Sequence, residues 1–152
     1  MKETPTDRRL LIDVEKCIGC FACAASCPEK RIAFQDQDGL RRFTAPGFCA
    51  APCDACRKVC PVDAVALEPV DPDEARPDPL EITWVLPLVR CRRCGEPFTT
   101  EKIRRRLSRQ LAAALGSPDF SFDWIPLCPR CRRDDEAHRV RAATRTVPDP
   151  LP

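Results

Sequence analysis

Histidine is nearly missing from this sequence: His138 is the only one, and no paired acids or nucleophile-and-base pattern stands beside it. Acid–base and nucleophilic catalysis need such groups within hydrogen-bond reach of one another. They have no visible home here, and His138 reads as a solvated surface residue. Also missing is any apolar run long enough to cross a bilayer, and the first residues lack the charged-then-apolar pattern of a secretory signal. Arg8-Arg9 ahead of Leu10-Leu11-Ile12 has the look of a twin-arginine export signal, but Asp13, Glu15 and Lys16 interrupt where a long apolar region is needed. The expectation is a protein of the reducing cytoplasm with no transmembrane segment of its own. Neither charge sign dominates. The net charge is +2, with acids in excess over residues 1–80 and bases in excess over residues 81–152, so the two halves face different partners or each other.

Cysteine is what the chain has in abundance. Twelve among 152 residues would suggest a disulfide framework in a secreted protein. The spacing argues for metal instead, because every cysteine falls in a ligand spacing, eight in residues 17–60 and four in residues 91–131, with none left over. Cys17, Cys20, Cys23 and Cys27 run C-x2-C-x2-C-x3-C and precede Pro28. That run holds [4Fe–4S] clusters, with the fourth cysteine ligating the other cluster of a pair. Cys49, Cys53, Cys56 and Cys60 precede Pro61 in the same manner. On this rule Cys17, Cys20, Cys23 and Cys60 hold one cluster, and Cys27, Cys49, Cys53 and Cys56 hold the other. The second run departs from the first at one place: the repeat expects a cysteine at position 50, which is Ala50, and Cys49 stands one residue earlier. The loop Ala50-Ala51-Pro52 must bulge. Cys49 is expected to ligate because no spare cysteine can replace it, and a labile or three-iron cluster at this site is the alternative.

Around the cysteines, Leu10 to Val14 reads as a strand leading to Cys17, Arg31 to Phe34 as a strand after Pro28, Asp36 to Gly39 as a turn, and Leu40 to Phe43 as the return. Val65-Ala66-Leu67 repeats Ile32-Ala33-Phe34, so the two halves of residues 1–67 are related by an internal repeat and each supplies ligands to both clusters. Ile18, Phe21, Val59 and Val62 are expected to shield the clusters from water. Residues 68–80, rich in proline and acids, read as a linker or wrapping arm.

The module expected at residues 81–134 opens on an apolar strand, Ile82 to Val89 with Trp84, broken at Pro87, and reaches Cys91-Arg92-Arg93-Cys94-Gly95. Thr99-Thr100 offer an N-cap, Ile103, Leu107, Leu111 and Leu115 recur every four residues, and Gly116 with Pro118 stop the pattern, which predicts a helix of about four turns. Phe120, Phe122 and Trp124 alternate with polar residues as a half-buried strand would. It delivers the chain to Cys128-Pro129-Arg130-Cys131. Cys91, Cys94, Cys128 and Cys131 together describe a four-thiolate tetrahedral site. One Zn2+ is the expected occupant, and a single rubredoxin-type iron is the alternative. The helix between the knuckles and the complete absence of tyrosine count against the iron. Residues 135–152 read as a polar tail. The basic run from Arg90 to Arg109 reads as a solvated or docking face before it reads as a grip on nucleic acid, since no aromatics interleave it.

Taken together, the residues of the first half resemble dicluster bacterial ferredoxins. The order in which Cys91-Arg92-Arg93-Cys94-Gly95-Glu96-Pro97-Phe98 and Cys128-Pro129-Arg130-Cys131 follow is more specific. It is similar to the ferredoxin-type subunit of formate hydrogenlyase and related membrane-bound [NiFe]-hydrogenase complexes, a relative of the two-cluster subunit of respiratory complex I. That resemblance implies an electron relay within a multi-subunit redox complex, hydrogenase-like or complex-I-like. Such a protein is an electron-transfer component with no small-molecule substrate, not a catalyst in itself, and is cytoplasmic, including the periphery of a membrane-bound complex. The fold class expected is α+β: a bacterial dicluster ferredoxin-like domain, then a small zinc-ribbon-like module with one helix between two CxxC knuckles. The competing readings are a free soluble ferredoxin and a nucleic-acid-binding iron–sulfur and zinc protein that uses the basic C-terminal half.

Overall fold

The chain divides into two compact units, Met1–Pro87 and Leu88–Pro152. The computed structural model describes residues 7–50, 52–71, 81–116 and 122–145. In chain order the first unit holds strand β1 (Arg8–Ile12), helix α1 (Ala22–Ser26), strands β2 (Ala33–Gln37), β3 (Leu40–Pro46) and β4 (Phe48–Cys49), helix α2 (Ala55–Val59), strand β5 (Val65–Pro69) and the start of β6 (Glu81–Arg90). β1 is the middle of one antiparallel sheet, with β4 on one side and β5 on the other, and its central residue Leu10 is fully buried.

The second antiparallel ladder grows from a hairpin. Asp38 and Gly39 both have positive φ, 53° and 76°, the pairing that a two-residue turn matching the twist of its strands requires. That turn places Asp36 opposite Arg41 and Phe34 opposite Phe43. β3 alternates, with Arg41, Phe43 and Ala45 facing inward, and β6 pairs along it from Glu81 to Pro87, setting Trp84 opposite Phe43. Their rings stack at 4.9 Å and 4°, and Phe43 in turn meets Phe34 at 5.9 Å. Offset aromatic pairs of this kind add about 0.5–1.5 kcal/mol each beyond their area burial. The core gathers Leu10, Ile32, Phe43, Ala45, Val65, Trp84 and Leu86 from both ladders.

Two boundaries differ from those read in the sequence. β5 continues to Pro69 and Val70 is buried, its N–H donating to the Asp7 carbonyl at 3.1 Å, so the first unit runs on past residue 67. Residues 81–87 also belong to it, because they pair with the edge of β3 that β2 leaves open. Of the expected linker, residues 72–80 lie outside the described residues. Pro87 does not break β6. It sits opposite Leu40, where pairing with β3 ends, so its missing N–H costs the ladder nothing.

In the second unit, Leu88 to Arg90 pair with β7 (Pro97–Thr100) through an irregular register. Helix α3 (Glu101–Leu115) follows as predicted: Thr100 Oγ1 accepts from the Ile103 N–H at 3.2 Å, and Gly116 closes the helix in the left-handed region. The strand expected over Phe120 to Trp124 is not formed in its described part, where Asp123 to Pro126 turn instead, with Ile125 N–H donating to Phe122 O at 2.9 Å. No described strand lies beside this segment to pair with, and alternation alone does not make a ladder. Helix α4 (Pro129–Arg145) starts inside the second knuckle and runs through what reads as a polar tail. Proline at its first position is pre-set for a helix start. His138 lies exposed on it.

Candidate metal centres

The internal repeat is visible in the backbone. α1 carries Cys23 and α2 carries Cys56, and the helices end at Cys27 and Cys60 with nearly identical angles, φ/ψ −65°/115° and −69°/114°. Three residues on, Lys30 and Asp63 both take positive φ, 53° and 49°. This kink turns the next N–H back on the cysteine: Arg31 N–H donates to Cys27 Sγ at 3.4 Å and Ala64 N–H to Cys60 Sγ at 3.2 Å. Donors of this kind hold a ligand sulfur in place.

Two cavities separate the eight cysteines into quartets. A narrow one is lined by Cys17, Cys20, Cys23 and Cys60, with Ile18, Phe21, Phe43 and Trp84 among its walls. A second, of about 250 Å³, is lined by Cys27, Cys49, Cys53 and Cys56 between Pro28, Ile32, Pro46, Pro52 and Leu67. Around Cys49 the insertion is absorbed by a turn in which the Cys53 N–H donates to the Ala50 carbonyl at 3.2 Å, while Ala51 lies outside the described residues. All twelve cysteines are free thiols. Burial pushes the Cys23 thiol up to about 11 and also raises Cys49 and Cys56, with neighbouring cysteines adding to the effect. Thiolates crowded in a poorly hydrated pocket repel one another, and cationic iron removes that penalty. The donor sets therefore fit iron–sulfur clusters.

Sequence reasoning missed three contributors. Phe43 and Trp84 reach the first cavity from β3 and β6, outside the cysteine run. Trp84 is buried, and its Nε1 is the one buried side-chain nitrogen or oxygen among the described residues without a hydrogen-bond partner. Arg41 is the third: 5% exposed, it grips both carboxylate oxygens of Asp36 at 2.7 Å and donates to the carbonyl of Gly19, in the first cysteine loop, at 2.8 Å. Its guanidinium also faces the rings of Phe21 and Phe34, 5.4 and 5.5 Å away. Of the expected shielding residues, Ile18, Phe21 and Val62 line the first cavity, Phe21 with much of its ring open to solvent, whereas Val59 is exposed on the outer side of α2.

Residues 16–64 match the 4Fe-4S dicluster domain. The match supports an iron–sulfur electron-transfer role for the dicluster segment, an electron carrier rather than a catalyst. It ends before β6, so Trp84 stands outside the dicluster segment although it walls the first cavity. No curated protein matches the chain. Among the described residues no helix is long and apolar enough to cross a membrane.

The second unit brings Cys91, Cys94, Cys128 and Cys131 together, with all four ligand atoms within 4.8 Å of one another and three of the residues buried. A single ion with metal–sulfur bonds of about 2.3 Å sets tetrahedral sulfur–sulfur edges of about 3.8 Å. The Cys94 and Cys128 sulfurs are 3.7 Å apart. The set fits one tetrahedral ion, and thiolate ligation of this kind accepts zinc and iron alike. For Cys91, burial pushes the thiol up, but N–H groups of Cys128, Cys94 and Arg93 aimed at its sulfur win and bring it down to about 6. Cys131 is pushed up to about 12 by burial and by its three cysteine neighbours. A cation bound among them would remove the repulsion that helps hold the Cys131 thiol up. Both knuckles are pinned by the backbone: Gly95 N–H donates to Cys91 O at 2.9 Å and Arg132 N–H to Cys128 O at 3.0 Å. Arg132 also staples the turn before the second knuckle, its guanidinium donating to the carbonyls of Trp124, Ile125 and Leu127 while stacking over the Trp124 ring. The core cluster here is Leu127 and the cysteines themselves, with Phe98 beside them, so an ion bound by the four sulfurs would add directly to the unit's stability.

Proposed function

We propose that the chain is an electron-transfer subunit of a multi-subunit redox complex, hydrogenase-like or complex-I-like, in a reducing compartment. In this reading Cys17, Cys20, Cys23 and Cys60 hold one [4Fe–4S] cluster and Cys27, Cys49, Cys53 and Cys56 hold the other. Cys91, Cys94, Cys128 and Cys131 hold a structural Zn2+. When bound, the clusters supply one-electron chemistry at potentials set by their protein surroundings. The chain's own part is to fix the thiolates, to aim backbone N–H groups at sulfur, and to keep water out with Ile18, Phe43 and Leu67. The observation that carries the reading is the separation of the eight cysteines into two interleaved quartets, each around its own cavity.

The second unit serves as a docking piece. In support of this, an open cleft of about 690 Å³ around Trp124 is lined by five arginines and three acids, Asp123, Asp135 and Glu136, with Arg93 paired to Asp135, a mixed surface with a basic excess suited to a partner of mixed, mainly acidic charge. Metal analysis of anaerobically prepared protein tests the cofactors, with eight irons and one zinc per chain expected from the ligand arithmetic. Nine irons and no zinc replace the zinc by a single iron, and a chain without iron overturns the reading. Anaerobic affinity purification from the native cell tests the partners. Hydrogenase-like or complex-I-like subunits in fixed ratio support the complex, the protein alone indicates a free carrier, and nucleic acid overturns the relay.

A further inference from the structure

The buried polar atom that the described residues leave without an acceptor belongs to a residue that lines the first cysteine cavity. Trp84 is 6% exposed, its ring stacks on Phe43, and both side chains line the cavity of Cys17, Cys20, Cys23 and Cys60. A buried indole N–H normally finds a partner, because leaving a donor dry is costly. The side chains of the walls are apolar apart from the sulfurs, and the carbonyls of Gly19 and Ala64 in the lining already accept from Arg41 and the Asp13 N–H, so a water in that place would lack the two or more free polar partners that hold buried water. The acceptors that this cavity provides are sulfurs.

We propose that Trp84 tunes the redox group of the first cavity: its Nε1–H donates a hydrogen bond to a sulfur of the cluster held by Cys17, Cys20, Cys23 and Cys60. The inference rests on the cluster assignment above and goes beyond it, since Trp84 lies outside the matched segment and outside every ligand spacing. Reduction adds negative charge to the sulfurs, and a donor to a more negative acceptor makes the stronger bond. The N–H therefore favours the reduced state and raises the potential of this cluster alone. The second cavity has no aromatic residue in its lining.

The test compares wild-type protein with Trp84→Phe, which removes the donor, and with Trp84→benzothienylalanine, which exchanges the N–H for sulfur at nearly constant shape. Both clusters are titrated potentiometrically by electron paramagnetic resonance, and nitrogen-15 coupling to the reduced clusters is read in protein labelled at the indole nitrogen. In both variants one cluster is expected to be harder to reduce by roughly tenfold, which for a one-electron couple is about 59 mV, while the other stays put. The nitrogen-15 coupling present in wild type is expected to vanish. Variants that keep eight irons with both potentials unmoved, or moved equally, overturn the inference and leave the cluster assignment standing. A wild-type chain that takes up no iron overturns both.

Discussion

Replacing Arg41 by methionine keeps the apolar stem and removes the guanidinium, which ties the hairpin to the first cysteine loop. Three short bonds are lost: two to Asp36 at 2.7 Å and one to the Gly19 carbonyl at 2.8 Å. Removing one partner of a buried ion pair costs about 3–5 kcal/mol. Asp36 keeps 34% of its side chain exposed, so its carboxylate rehydrates and the loss from the pair falls to about 2–3 kcal/mol. The orphaned carbonyl adds about 1 kcal/mol. A total of about 3–4 kcal/mol is a large share of the 5–15 kcal/mol typical of a folded domain. Because unfolding of a cluster-loaded protein is irreversible, the assay is the rate at which the visible cluster absorbance bleaches in anaerobic denaturant. If these bonds are broken at the unfolding barrier, bleaching accelerates by roughly two to three orders of magnitude.

Arg41→Lys keeps the charge but not the fork, and should fall between wild type and methionine. A double-mutant cycle with Asp36→Asn separates the pair from the rest, with a coupling of about 2 kcal/mol expected within the range found for contacting residues. Bleaching of Arg41→Met within twofold of wild type, or a coupling below about 0.5 kcal/mol, refutes the claim that this pair anchors the loop.

Other consequences concern the second unit. Thr100→Ala removes the N-cap of α3, and far-UV circular dichroism should record a loss of about 1 kcal/mol that Thr100→Ser restores; equal losses in both variants dismiss the cap. Hydrogen bonding from Arg104 and Arg105, against a smaller burial effect, holds the Glu101 carboxyl below its usual value of 4.5, so its stabilisation is present above that pH and is lost as the pH falls through the folded value. Glu101→Gln should therefore cost about 0.5 kcal/mol at neutral pH, as expected for a partly exposed pair, and the difference from wild type should vanish in acid; a gap that ignores pH counts against the ion pair. Gly95 has φ +77° with open space where a Cβ would sit, so Gly95→Ala pays only backbone strain. At about 1–2 kcal/mol, metal affinity in a chelator competition should weaken by roughly five- to thirtyfold, and a much larger loss would reveal a clash not seen here.

What the sequence made legible was local. Three cysteines within seven residues leave little freedom in how they meet a common centre, and the Asp38-Gly39 turn and the Thr100 and Gly116 caps are read from neighbouring residues alone. What escaped reading depends on register between distant strands. Arg41 is polar and looks solvated, yet the hairpin register faces it inward, opposite Asp36. Trp84 reads as the core of a later module, and only the pairing of β3 with β6 carries it to Phe43 and the first cavity. Alternation over Phe120 to Trp124 suggested a strand, but the described part of that segment turns under Arg132. Val59 shows the limit of apolarity as a guide: α2 points it to solvent.

The near-perfect repeat of ligand loops raises the question of how one chain makes two sites different. Helix ends, left-handed residues and N–H donors to Cys27 and Cys60 match between the halves, so the thiolate frames supply little asymmetry. The walls supply it. Aromatic side chains from β3 and β6 close the first cavity and bring a buried N–H, while prolines, aliphatic residues and the charged pair Glu29 and Arg31 surround the second, where an insertion displaces Cys49 and Pro52 withholds a donor. Since potential follows hydrogen bonds to sulfur and access of water more than ligand identity, the added strand β6 is the element that differentiates the pair. The extra donor raises the potential of the first site, so in this reading the second site passes its electron to the first. Relay direction is then a property of residues outside the cysteine motif, and cutting β6 away would leave two clusters of more nearly equal potential.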